Sequence, residues 1–281
     1  MSSGTVTGAA LSLSAAGVWG GGDFAGGIAV KRANVFRVVA GAHACGLLLM
    51  LALAWLTHEP IPLLPALYWG VAAGITGGFG IAALYQALAI GRMGIVAPLA
   101  SVITAVLPVL VGIRAEGMPD RWQLAGFALA LISIWFVARP DGEIDSRRGL
   151  GLAVLAGVMF GLFLVAGRQA GHGGVFWPLV AARTASTLLM LVIVAFSARD
   201  SRPLRAAVVP IVLSGVFDSG ANALFIAATR HGRLDVAAVL SSLYPASTVI
   251  LARVLLKERI SPMQNVGIVG ALAAVALISA R

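Results

Sequence analysis

Apolar residues fill this chain in blocks near 8–30, 35–56, 65–90, 94–113, 122–138, 149–167, 175–197, 206–228, 234–255 and 263–280, separated by short polar or charged stretches. Most of these blocks approach the roughly 20 residues that cross a bilayer as a helix. The pattern therefore predicts an all-α polytopic membrane protein of ten transmembrane helices. Between the fourth and fifth blocks stand Arg114, Glu116, Pro119, Asp120 and Arg121, which a single buried helix would not carry, so the two are separate elements. The longest interruption is Arg139-Pro-Asp-Gly-Glu-Ile-Asp-Ser-Arg-Arg148, and it divides the chain into 1–140 and 141–281.

The two parts repeat one another. Gly17, Val18, Gly21 and Gly27 recur at an offset of 140 as Gly157, Val158, Gly161 and Gly167, and Leu48-Leu-Met-Leu51 recurs as Leu188-Leu-Met-Leu191. Gly80, Ala83, Leu84 and Ala87 return as Gly220, Ala223, Leu224 and Ala227; one residue is then inserted, and Gly91-Arg92, Ser101 and Gly126 meet Gly232-Arg233, Ser242 and Gly267 at an offset of 141. Five spans per repeat is an odd number, so the second copy enters the membrane from the opposite side. Two inverted five-helix repeats are the arrangement of carriers that alternate access around a midplane site. Duplication also builds inert and channel-forming bundles, so the repeat alone names neither activity nor substrate.

Composition agrees with the pattern: 281 residues are 59% hydrophobic and 11% charged, with a mean hydropathy of +0.97, beyond what a soluble domain carries. The net charge of +9 sits singly or in pairs at span ends, with no aromatic-basic surface, which predicts no nucleic-acid partner. Twelve Lys and Arg fall on the side of the odd-numbered loops and six on the other, placing both termini outside the cytoplasm by the positive-inside rule. No Lys or Arg precedes Lys31, and Asp23 interrupts the first block, so that block reads as a retained span. Cys45 is the one cysteine; an intrachain disulfide is impossible and no metal site is expected.

Candidate chemistry lies where polar residues enter apolar blocks. Asp218, Asn222 and Phe225 share one helical stripe, and an acid at membrane depth calls for a protein interior or a water-filled cavity. Asp23 raises the same question, unless it lies near its helix end and is solvated; Trp19 stands one turn before it. His43 and Arg183 occupy equivalent positions of the repeat, a candidate pair near its axis. Arg183 could hold a substrate carboxylate or act as structural partner of Asp218 or Asp23, and His43 could carry a proton or be a satisfied core histidine. In the fourth and ninth spans Pro98, Thr104 and Pro108 correspond in kind to Ser241, Ser242, Tyr244 and Pro245; the prolines Pro98, Pro108 and Pro245 are candidate hinges. Tyr244 and Tyr85 offer an aromatic ring with a polar tip. The expected binding set is Trp19, His43, Tyr85, Arg183, Asp218, Asn222 and Tyr244, with Asp23 and Asp218 as candidate proton carriers.

Enzyme readings find little footing. Gly20-Gly-Gly-Asp23 and Phe217-Asp218 approach the motifs of intramembrane aspartyl proteases, but in the reverse order and with Phe for Tyr. No His-Glu-x-x-His, Gly-x-Ser-x-Gly or P-loop occurs. No catalysis and no cofactor are expected.

The early Gly17-Val-Trp-Gly, the segment Ala83-Leu-Tyr-Gln-Ala-Leu-Ala-Ile-Gly-Arg-Met-Gly-Ile-Val-Ala-Pro98, Ala181-Ala-Arg-Thr and Lys257-Glu-Arg-Ile-Ser261 give the chain its resemblance to a family. It resembles the drug/metabolite transporter superfamily, in its EamA-type ten-helix branch, over essentially its whole length. The resemblance implies a multi-pass exporter of amino acids or similar small metabolites in the bacterial inner membrane, with a central cavity shared by the two repeats. It also implies cytoplasmic termini, against the charge count, and Thr57-His-Glu-Pro60 lacks the arginines often seen in that loop. The family has no invariant catalytic set to carry over. The expected partners are a small-molecule substrate and membrane lipid, with a monomer sufficient because both halves share one chain. The alternatives are a proton-coupled exporter of drugs or organic cations and a noncatalytic membrane scaffold.

Overall fold

A computed structural model describes residues 3–90, 93–137, 149–196, 204–256 and 261–279. These form α1 (Ser3–Val30), α2 (Val35–Leu56), α3 (Leu64–Ile90), α4 (Met93–Glu116), α5 (Arg121–Val137), α6 (Leu150–Gly171), α7 (Phe176–Phe196), α8 (Val208–His231), α9 (Leu234–Ser241), α10 (Tyr244–Leu256) and α11 (Pro262–Ser279), with a 3₁₀ turn at Leu204–Ala207. The described residues contain no strand. Among the described residues six segments, Val35–Leu56, Leu64–Ala87, Leu99–Glu116, Leu150–Gly171, Phe176–Phe196 and Leu204–His231, are long and apolar enough to cross a membrane.

Helix ends carry chemical stops and starts. Asn34 accepts from the N–H groups of Phe36 and Arg37 at the start of α2. Asp120 accepts from Trp122 and Gln123 N–H while Gln123 Oε1 accepts from Asp120 N–H, a capping box that opens α5. Ser261 and Gln264 repeat that reciprocal pair at the start of α11, at the repeat offset of 141.

The ninth apolar block, expected as one span, is two helices. The N–H groups of Ser242 and Leu243 close α9 onto Ala238 and Leu240, and α10 restarts at Tyr244. Pro245 explains the break: it has no N–H to continue α9, and its ring collides with the carbonyl four residues back, whereas in the first turn of a new helix neither matters. The apolar run is continuous across this point, so hydropathy alone could not reveal it. The fourth block, with Pro98 and Pro108, continues unbroken as α4.

Small residues set the packing. A Cβ on Gly215 would meet the carbonyl of Ala42, and one on Gly74 the carbonyl of Ala182; these alanines are themselves equivalent in the repeat. Such contacts give the direction of each helix pair. Gly8 lies beside Ala228 and Gly22 beside Asp218, so α1 and α8 are antiparallel; Gly77 beside Phe163 and Gly80 beside Phe160 make α3 and α6 antiparallel. Gly126 meets Ile278 while Gly270 meets Ser133, and α5 opposes α11. The pairs α2 with α8, α3 with α7 and α4 with α6 run parallel, through Gly41–Ile211 and Gly46–Ser219, Gly70–Pro178 and Gly78–Ser186, and Ala100–Gly157 and Thr104–Gly161. The first helix of each half thus lies on the third helix of the other.

Candidate functional site

Between the halves the helices leave a cavity enclosing about 800 Å³ of unfilled space, counting what opens to solvent. Trp19 and Asp23 reach it from α1, His43 from α2, Arg183 from α7, Asp218 and Asn222 from α8, and Ser241, Ser242 and Tyr244 from the α9–α10 break. The lining is completed in part by Phe160, Phe163 and Leu164 of α6 and by Gly74, Gly77 and Gly78 of α3.

Charge is concentrated where α2, α7 and α8 converge. Arg183 Nη2 lies 2.6 Å from Asp218 Oδ2, and His43 Nε2 lies 4.0 Å from the same oxygen. The Arg183 and His43 side chains are 7% exposed, whereas Asp218 keeps 33% of its side-chain surface, as expected of an acid on a cavity wall. The Arg183–Asp218 contact has ion-pair distance without hydrogen-bond geometry, and Arg183 Nε, His43 Nδ1 and Ser242 Oγ are buried with no hydrogen-bond partner among the described residues. Unmet polar capacity at a cavity wall favours water or a polar ligand.

The remaining candidates divide clearly. Trp19 Nε1 donates to Asn222 Oδ1 at 3.1 Å, and its ring packs at a tilt of 37°, with centroids 5.9 Å apart, on Phe225, which is fully buried. Ser101 Oγ donates to the Tyr244 hydroxyl at 2.8 Å, fixing that ring at the break. Asp23 lies in the cavity wall seven residues before the end of α1, not solvated at a helix end, and has no ion-pair or hydrogen-bond partner among the described residues. Tyr85 is buried with its hydroxyl against Gly26 and Ser214 and is not among the residues lining the cavity.

The repeat accounts for the mixed lining of this cavity. Asp23 corresponds to Phe163, Asp218 to Gly78 and Asn222 to Ala82 at the offset of 140. At these three positions the α1–α8 pair carries polar side chains, and its counterpart α6–α3 pair has apolar or missing ones. Phe163 and Gly78 carry no polar signal in the sequence that would mark them as lining residues; applying the offset to Asp23 and Asp218 points to them.

The EamA-like transporter family matches the chain twice, over residues 6–139 and again over 147–280. The chain belongs to the EamA-like transporter family. Among solved structures, one crystal structure of a protein superposes on this EamA-like chain with a TM-score of 0.81 at 17% identity, covering 97% of this chain and 96% of that one. At that identity the likeness is one of fold. No curated protein matches the sequence. As a member of a transporter family with apolar helices of spanning length, the chain is a multi-pass membrane protein that acts on a small-molecule substrate.

Proposed function

We propose that this chain is a secondary transporter that exports amino acids or closely similar metabolites across the bacterial inner membrane, by alternating access and as a monomer. The observation that carries the reading is the cavity between the matched halves, lined both by the Arg183–Asp218 pair and by apolar side chains. A zwitterion suits such a site: its carboxylate competes for Arg183, its ammonium for Asp218 or Asp23, and its side chain lies against Phe160 and Phe163. A substrate bearing both charges replaces one internal ion pair with two, which a singly charged analogue cannot do. Ten spans in two inverted units, residues 1–140 and 141–281, fit the helix directions, since every pair runs as it would in a chain crossing back and forth span by span. The break at Ser242–Leu243 adds irregular backbone beside the cavity, where membrane carriers tolerate it.

A second reading rests on Asp23. It is an acid on the cavity wall with no described partner, a disposition that suits a proton-coupled exporter of organic cations. Counterflow in proteoliposomes separates the readings. Vesicles preloaded with unlabelled amino acid should accumulate labelled amino acid saturably, whereas the second reading predicts that amines compete instead and that flux follows an imposed pH gradient. Absence of counterflow with every amino acid, in protein shown to be folded, counts against the first.

A further inference from the structure

The ends of α4, α6 and α8 and the start of α9 meet on one face, where four charged side chains interlock. Arg168 Nη2 pairs with Glu116 Oε1 at 2.8 Å, and Glu116 Oε2 lies 4.0 Å from Arg233 Nε. Arg233 in turn clasps Asp235 through hydrogen bonds of 3.1 and 2.7 Å. Arg168 also donates to the carbonyls of Thr229 and Gly232, and Arg233 to those of Glu116 and Gly117. On the same face Glu59, in the α2–α3 connection, accepts from the N–H groups of Val175, Phe176 and Trp177 at 2.7, 2.8 and 2.9 Å and so caps α7. Glu59 and Glu116 belong to the first matched half, and the groups their carboxylates hold belong to the second.

The repeat shows what stands at the equivalent places on the opposite face. At the offset of 140 Glu59 becomes Arg199 and Arg168 becomes Ile28; at 141 Glu116 becomes Lys257, Asp235 becomes Gly94, and Arg233 becomes Arg92. Arg92, Arg199 and Lys257 lie outside the described residues, and their identities alone carry the point. Both acids that tie the halves together are replaced by bases at the equivalent positions of the sequence. At α2 the helix start is capped instead from within its own half, by Asn34.

We propose that Glu59 and Glu116 form an ionic latch on one face only, and that it biases the carrier toward the state in which the face carrying the α2–α3, α4–α5, α6–α7 and α8–α9 connections is shut. The proposal rests on the alternating-access reading above, and its test uses no substrate. Spin labels at the exposed positions Met118→Cys and His172→Cys, in a Cys45→Ala background in lipid nanodiscs, report the separation across the latch by pulsed electron resonance. The parent should show one short distance. Glu116→Gln should enlarge a longer-distance population about two- to fivefold, as expected on losing a partly exposed ion pair. Glu59→Gln should shift it the same way and serves as the test if the first variant does not fold, while Lys257→Gln should leave the distribution unchanged. Distributions identical to the parent in both glutamate variants, or a parent already dominated by the longer distance, would overturn the latch. Such a result leaves the counterflow experiment to judge transport by itself; lost counterflow with an intact opening response would count against the transport reading alone.

Discussion

Arg183 and Asp218 are tied to each other across α7 and α8, and this decides what their substitutions should do. Removing one partner leaves the other charge uncompensated on the cavity wall, a loss of about 1–3 kcal/mol. Arg183→Ala and Asp218→Asn should therefore each lower the melting temperature in detergent and reduce substrate flux about ten- to a hundredfold, the scale of a lost charged hydrogen bond. The Arg183→Ala/Asp218→Asn double variant should regain much of the stability and none of the flux; a thermal melt beside a flux assay checks both. Cys45→Ala, at a free and partly exposed cysteine, should leave both unchanged. The acid was legible in the sequence because an ionisable group inside an apolar block demands an explanation. Its partner was legible only as one of several options, since helical periodicity fixes which residues share a face and says nothing of which helix lies opposite. Tyr85 shows the same limit: an aromatic ring with a polar tip suggests the cavity, yet its hydroxyl lies against Gly26 and Ser214 in the packing between α1, α3 and α8.

At the scale of the element, glycines separate into those that allow contact and those that do not. Gly74→Ala and Gly215→Ala force a methyl against a neighbouring backbone carbonyl and should lower the melting temperature, with overpacking losses of about 1–3 kcal/mol. Gly17→Ala and Gly27→Ala meet nothing within 4 Å and should be neutral or stabilising, by about 0.5–1 kcal/mol from helix propensity. A set of thermal melts in one detergent distinguishes the groups, and equal losses in all four would contradict the packing described here. The spacings of Gly17 with Gly21 and of Gly22 with Gly26 read in sequence like contact faces; Gly21, Gly22 and Gly26 each have a neighbour to accommodate, whereas Gly17 has none. The α9–α10 break was hidden for a related reason. Hydropathy averages over the run, while the break depends on Pro245, whose correspondent in the other half is Thr104 within an unbroken helix.

Across the whole molecule, duplication was the most legible feature and asymmetry the least. The same offset that aligns the glycines aligns Asp120 and Gln123 with Ser261 and Gln264, so even the capping chemistry at α5 and α11 is repeated. Function departs from the repeat where Asp23 faces Phe163's position, Asp218 faces Gly78's, and the acids of the latch face bases. A duplicated bundle whose cavity is lined by both charged and apolar side chains is suited to amphipathic solutes, and a one-sided latch gives its two faces different energies. The measurement that tests this account most directly is counterflow of labelled amino acid into proteoliposomes preloaded with the unlabelled compound, comparing the unsubstituted protein with Asp218→Asn. Saturable accumulation by the unsubstituted protein, lost in Asp218→Asn and kept in Cys45→Ala, is the predicted result. Equal accumulation in all three proteins, or none in the folded unsubstituted protein with any amino acid, would contradict the account.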